Sequence, residues 1–221
     1  MIRTTVAVGG FSSEVGKTTL MCHLLNAFPG WEAIKLTRGH YRSCGKDPHA
    51  CCVSNLLSDE PVIRSGYEQT YAPGKDTGRY WHAGASNVHW VIVTDGQVDQ
   101  GIKQALDRVR APGVLIEGNS FLRFVEVDFA VMVARKDDDK IKASARWALQ
   151  KTSALYIFED DECAATARGS FAARHQSSAI HNLINTLPVY TRKELPQLTA
   201  HIQESCIQET RIQEIHEVTI C

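Results

Sequence analysis

Val8-Gly9-Gly10-Phe11-Ser12-Ser13-Glu14-Val15-Gly16-Lys17-Thr18-Thr19 is the stretch of this 221-residue chain whose residue types and spacing can do chemistry. Apolar Thr5 to Val8 leads into it, and the helix-forming run Leu20-Met21-Cys22-His23-Leu24-Leu25 leads out. A strand, a glycine turn, Gly-Lys-Thr and a helix make the context of a phosphate-binding loop. Backbone N–H groups in the turn and at the helix start cradle phosphate oxygens. Lys17 is expected to put a point charge on the outer phosphates, and the Thr18 hydroxyl to ligate Mg²⁺. Ser12, Ser13, Glu14, Val15, Gly16 and Thr19 complete the expected cradle, with ATP or GTP as its ligand. Five residues separate Gly10 from Gly16, one more than the usual loop allows.

The elements that must position this loop read as an alternation of strands and helices. Strands are expected at about 4–8, 33–36, 88–93, 114–116, 127–134 and 154–158, with a short seventh near 187–190. Helices are expected at about 17–28, stopped by Pro29-Gly30, at 97–110, with Val98, Ile102, Leu106 and Val109 at helical spacing, and at 141–151. This predicts an α/β fold: a doubly wound, mainly parallel sheet of six or seven strands flanked by helices, in a single domain over 1–221. A long irregular segment, about 37–72, leaves the carboxyl end of a strand, where open α/β sheets bind ligands. It is read as an active-site loop. The part from about 160 to 221 reads as helical. Its Ile-Gln-Glu triplets at 202, 207 and 212 recur every five residues, which fits neither a helix face nor a strand.

Two acids compete for the metal-associated position at a strand tip, Asp95 and Glu117. Basic Lys35, Arg38, Arg42 and Lys46 bring positive charge to the end of the second strand. Pro73-Gly74 makes a turn, Asp76 or Thr77 is expected to cap a short helix, and Gly84 to end it. Cys44, Cys51 and Cys52 with His40 and His49 raise a zinc or iron–sulfur reading, although their spacing matches no common site. Hydrophobic residues make up 43% of the chain, enough for a sizeable core, and the formal charge is −1. That charge gives no support for nucleic acid or an anionic membrane as partner. No apolar run is long enough for a bilayer span, and the first strand begins where a signal peptide would lie. Cytoplasmic placement is therefore expected, with the seven cysteines reduced.

Ser13-Glu14-Val15-Gly16-Lys17-Thr18 resembles the Thr-Glu-Val-Gly-Lys-Thr of dethiobiotin synthetases, whose loop is also one residue longer; that family's loop Asp is Ser12 here. Pro73-Gly74-Lys75-Asp76-Thr77, then Arg79 and Ala83-Gly84-Ala85, is similar to the core motif of the molybdopterin-guanine dinucleotide biosynthesis protein B family. Ile34-Lys35 matches that family's strand two, and its Val-Glu-Gly favours Glu117 over Asp95; its Asp two residues before the proline is Tyr71 here. Phe11-Ser12-Ser13 lacks the lysine of the deviant Walker ATPases, which argues against a MinD- or ParA-like dimerising ATPase. The Asn-Lys-x-Asp base-reading motif of large GTPases is missing from Glu159-Asp160-Asp161-Glu162.

The resemblance implies a P-loop NTPase. As an enzyme it would move the γ-phosphoryl group of ATP or GTP to water or to a small anionic substrate. Lys17 and Thr18 with Mg²⁺ would neutralise charge, and Glu117 would hold the metal or order a nucleophile, with Asp76 as its rival. Arg79 would touch the transferring group, and Lys35, Arg38 and Lys75 would bind the second substrate. The other reading is a nucleotide-dependent adaptor in molybdenum-cofactor biosynthesis with slow hydrolysis, a homodimer or partner surface being sought near Trp81 and Trp90. A metal or iron–sulfur carrier ATPase is a third.

Overall fold

The computed structural model describes residues 4–40, 53–137, 141–158, 163–175 and 180–205. In chain order it has β1 (Thr4–Gly10), α1 (Lys17–Ala27), β2 (Glu32–Arg38), β3 (Val62–Ser65), α2 (Tyr67–Thr70), α3 (Asp76–His82), β4 (Val88–Val93), α4 (Val98–Arg108) and β5 (Gly113–Glu117). Then follow β6 (Phe129–Ala134), α5 (Ala143–Ala148), β7 (Ala154–Ile157), α6 (Ala164–Arg174), α7 (His181–Thr186) and β8 (Val189–Tyr190), with helix again at 195–205. The backbone groups into two compact units, one of residues 1–17 and 127–221, the other of residues 18–126.

In the first unit the strands run in the order β1-β6-β7-β8, every pair parallel. β1 and β6 show near-continuous burial, the pattern of strands covered on both faces. Phe11 extends the ladder past β1. Its N–H donates to the Val133 carbonyl at 2.9 Å, and its fully buried ring meets Phe171 edge-on with centroids 5.2 Å apart. Phe11 is thus held to β6 by one hydrogen bond beyond the end of β1, which leaves 12–16 as the turn proper.

The second unit orders its strands β3-β4-β2-β5, with β4, β2 and β5 mutually parallel and β3 antiparallel to β4. β3 and α2 lie inside the segment read from sequence as irregular, and β3 raises the strand total among the described residues to eight. β3 carries Val62, Ile63, Arg64 and Ser65, all half-buried, so an edge strand of this length left little hydrophobic pattern to read. α1 buries Leu20, Met21, Leu24 and Leu25 on one stripe and ends before Gly30, whose φ is +84°. A buried polar knot ties the unit's strands: Glu32 Oε2 lies 2.7 Å from His89 Nε2, and His89 Nδ1 lies 2.8 Å from Ser65 Oγ. The other Glu32 oxygen accepts the backbone N–H groups of Arg110 and Ala111, each at 2.9 Å, fixing the turn into β5.

Among the described residues no helix is long and apolar enough to cross a membrane. The fold class read from sequence, α/β with mostly parallel strands flanked by helices, is the one observed.

Candidate functional site

The segment expected to be a phosphate loop sits where parallel α/β strands place ligand-binding loops, between the carboxyl end of β1 and the first residue of α1. Its two glycines are required by space and by dihedral. A Cβ on Gly10 would stand 2.8 Å from the Lys17 side chain and 2.9 Å from that of Val15. Gly16 has φ +97°, a region L side chains avoid, and a Cβ there would stand 2.4 Å from the Phe158 ring. Glu14 is the one non-glycine residue with positive φ, at 60°, among those described. Lys17 Nζ donates to the Ser12 carbonyl at 3.3 Å, which curls the ammonium back over the turn. Lys142, just before α5, donates through Nζ to Ser13 Oγ at 2.5 Å. Sequence reasoning did not select it; only the fold brings it to the loop.

Thr18, the next residue in α1, heads a cluster built wholly from the second unit. Its Oγ1 lies 3.0 Å from Asp76 Oδ1 and 3.0 Å from Glu117 Oε2. Glu117 ends β5 and is 3% exposed, whereas Asp76 opens α3 with 40% of its side chain exposed. Lys35, from β2, sets its Nζ 2.5 Å from Glu117 Oε1 and 2.6 Å from Asp76 Oδ2. The buried Tyr80 hydroxyl donates to Glu117 Oε2. Sequence analysis missed Tyr80, although it stands one helical turn after Asp76 on α3, a spacing that puts both on one face.

The charges hold one another in place. Burial works against the Lys35 ammonium, but Glu117 and Asp76 outweigh it and lift its pKa above 10.5. Burial pushes the Asp76 carboxyl up, but Lys35, with help from Thr18 and Arg79, brings it below 3.8. Burial, then the Glu117 charge, pushes the Tyr80 phenol well above its ordinary value, so Tyr80 stays a donor at any physiological pH.

A hydroxyl has one proton, yet Thr18 Oγ1 faces two carboxylate oxygens at equal distance. One of those contacts therefore lacks a hydrogen between its oxygens. With Glu117 Oε2 also accepting from Tyr80, the surplus lone pairs lie on Thr18 Oγ1 and Asp76 Oδ1, hard oxygens of the kind that suits Mg²⁺.

The remaining candidates fall in different places. Arg79 donates to Thr19 Oγ1 at 3.1 Å, which keeps it on the α1 face beside the cluster. Lys75 is exposed at the start of α3. The expected cap on α3 is corrected: Lys75 is the N-cap residue and no side chain caps it, because the Asp76 carboxylate is committed to Thr18 and Lys35. Asp95 pairs with Arg38 at 2.9 Å in an exposed ion pair, while Glu117 alone of the two rival acids reaches Thr18. Trp81 and Trp90 are half-buried and tied by their indole N–H groups to Thr70 and Thr37. Arg42, Lys46 and the Cys44, Cys51 and Cys52 cluster lie outside the described residues, and among those described no group of three His, Cys, Asp or Glu side chains gathers.

HypB from Helicobacter pylori, solved in complex with nickel, superposes on 93% of this chain and 88% of its own, with a TM-score of 0.52 at 11% identity. The likeness is one of fold alone: α/β, mostly parallel and P-loop NTPase-like. LpxK from Aquifex aeolicus, solved in complex with ATP, matches 71% of this chain with a TM-score of 0.45 at 18% identity. This chain spans about half, 48%, of that LpxK chain's length. The Zn(II)-bound YjiA GTPase from E. coli matches 86% of this chain and 57% of its own, with a TM-score of 0.39 at 11% identity. No protein-family model matches the chain, and no curated protein matches it. The likenesses to dethiobiotin synthetase and to the molybdopterin-guanine dinucleotide protein therefore rest on their motifs alone.

Proposed function

We propose that this protein binds a nucleoside triphosphate with Mg²⁺ and transfers its γ-phosphoryl group to a small anionic acceptor or to water. The observation that carries the reading is the Thr18 hydroxyl, next in chain to the loop lysine, set 3.0 Å from each of two carboxylates. A phosphate loop followed by hard oxygen donors is what charge neutralisation in phosphoryl transfer requires.

The parts divide by exposure. Thr18 and the open Asp76 would hold the metal. Glu117 has both oxygens engaged, by Lys35 on one side and by Thr18 and Tyr80 on the other, so it acts from behind, as an acceptor that orients Thr18. The ion would supply charge neutralisation of the phosphates. Lys17 binds the outer phosphates. Lys35 keeps the two carboxylates from repelling each other, and Arg79, held at Thr19, stands ready for the transferring group or the acceptor. Lys75 is exposed and free to meet an anionic acceptor.

Equilibrium binding of ATP and GTP, with and without Mg²⁺, tests this on the native chain, Lys17→Ala and Asp76→Asn. Micromolar binding that Lys17→Ala abolishes, with Asp76→Asn losing the Mg²⁺ dependence, is the expected result. No binding of either nucleotide by the native chain would sink the reading. Turnover then separates the transfer enzyme from the adaptor: an enzyme accelerates with a small acceptor, an adaptor only with its protein partner.

A further inference from the structure

The loop's own sequence carries a single cation, Lys17, and the fold delivers another to it from a segment 129 positions away. Lys142 is tied to the loop twice. Its backbone N–H donates to the Phe11 carbonyl at 3.0 Å, and its Nζ donates to Ser13 Oγ at 2.5 Å. The first bond anchors the main chain of residue 142 at the start of the turn, and the second lays the ammonium along it. Lys17, curled from the helix start, takes the Ser12 carbonyl. Two ammonium groups thus meet consecutive residues of one short turn.

We infer that Lys142 is a second phosphate-contacting cation, which takes the outer phosphates of a nucleoside di- or triphosphate seated in the loop. The inference rests on the nucleotide-binding reading above. An ammonium has three donors, and Ser13 uses one, leaving two for phosphate oxygens. Ser13 and Lys142 are both exposed, so neither contact requires burial and a ligand can reach them from solution. A neutral hydroxyl gives an ammonium no charge to balance, whereas a polyphosphate does. Residues 11–13 are Phe-Ser-Ser and bring no charge of their own to the turn.

Calorimetric titration of AMP, ADP and ATP with Mg²⁺ tests this on the native chain, Lys142→Met, Lys142→Gln and Lys142→Arg, at two salt concentrations. Lys142→Met and Lys142→Gln are expected to weaken ATP and ADP roughly tenfold, the scale of one charge-assisted hydrogen bond at an exposed site. AMP, which lacks the outer phosphates, should change little, Lys142→Arg should retain most of the affinity, and the salt dependence should flatten in the two neutral variants. Thermal unfolding without nucleotide should stay within about a degree of native, since one exposed side chain is changed. Native-like ATP binding by Lys142→Met, with Lys17→Ala still abolishing it, would overturn the inference and leave the nucleotide reading standing. Retention by Lys142→Gln would also overturn it, because glutamine can hold Ser13 without charge. Failure of the native chain to bind any nucleotide would remove the nucleotide reading first.

Discussion

Replacing Tyr80 by phenylalanine removes one hydroxyl and leaves the ring, so it reports on a single hydrogen bond in the acid cluster. The bond runs from a fully buried phenol to Glu117 Oε2, itself on a 3% exposed side chain. A hydrogen bond to a charged acceptor contributes about 1.5–3 kcal/mol. Glu117 keeps Thr18 on the same oxygen and Lys35 on the other, so its carboxylate is not orphaned. The expected loss therefore sits at the low end, about 1.5–2 kcal/mol. For a chain of this size that lowers Tm by about 3–8 °C, readable by differential scanning calorimetry at neutral pH. Loosening Glu117 should also release Thr18, so the Mg²⁺ concentration for half-maximal nucleotide binding should rise. A Tm within about 1 °C of native, with unchanged Mg²⁺ dependence, would refute the claim that Tyr80 holds Glu117 in place.

Gly16→Ala should abolish nucleotide binding while the chain still folds, because the added methyl meets both a left-handed φ of +97° and the Phe158 ring at 2.4 Å. Its stability loss should be about 1–3 kcal/mol, measured by thermal unfolding, and unaltered ATP binding would count against the loop geometry. The Lys35 cluster should be insensitive to pH across neutrality. Lys35, raised above 10.5, contributes stability in full below that value and loses it as pH rises through its folded pKa. Asp76, depressed below 3.8, contributes above that value and loses it as pH falls through its folded pKa. The Tm difference between native and Asp76→Asn, which leaves Lys35 paired with Glu117, should therefore be flat from about pH 5 to about pH 9, and a step near neutrality would refute the assigned charges.

Much of this protein was determined by local sequence. Glycine, lysine and threonine between an apolar strand and a helix are short-range signals, because a loop that cradles phosphate is built from consecutive backbone N–H groups. The strand–helix alternation was equally legible, since buried parallel strands announce themselves as apolar runs such as Phe129–Ala134. β3 was not, because a four-residue, half-buried edge strand has no pattern to distinguish it from a loop. The extra residue in the glycine spacing could be counted in the chain, but only the strand pairing shows Phe11 donating to Val133. Chemistry that depends on convergence came from tertiary structure alone. Glu117 ends β5 and Asp95 lies two residues past β4; a motif likeness favoured Glu117, but the packing that sends one acid to Arg38 and the other to Thr18 is seen only in the fold. Lys35, read as a substrate cation, is engaged with Asp76 and Glu117, and Lys142 reaches Ser13 across 129 positions. Type and spacing reveal what a segment can do by itself, whereas the partner of each charge is decided by which strand ends and helix starts the folded backbone sets a few ångströms apart.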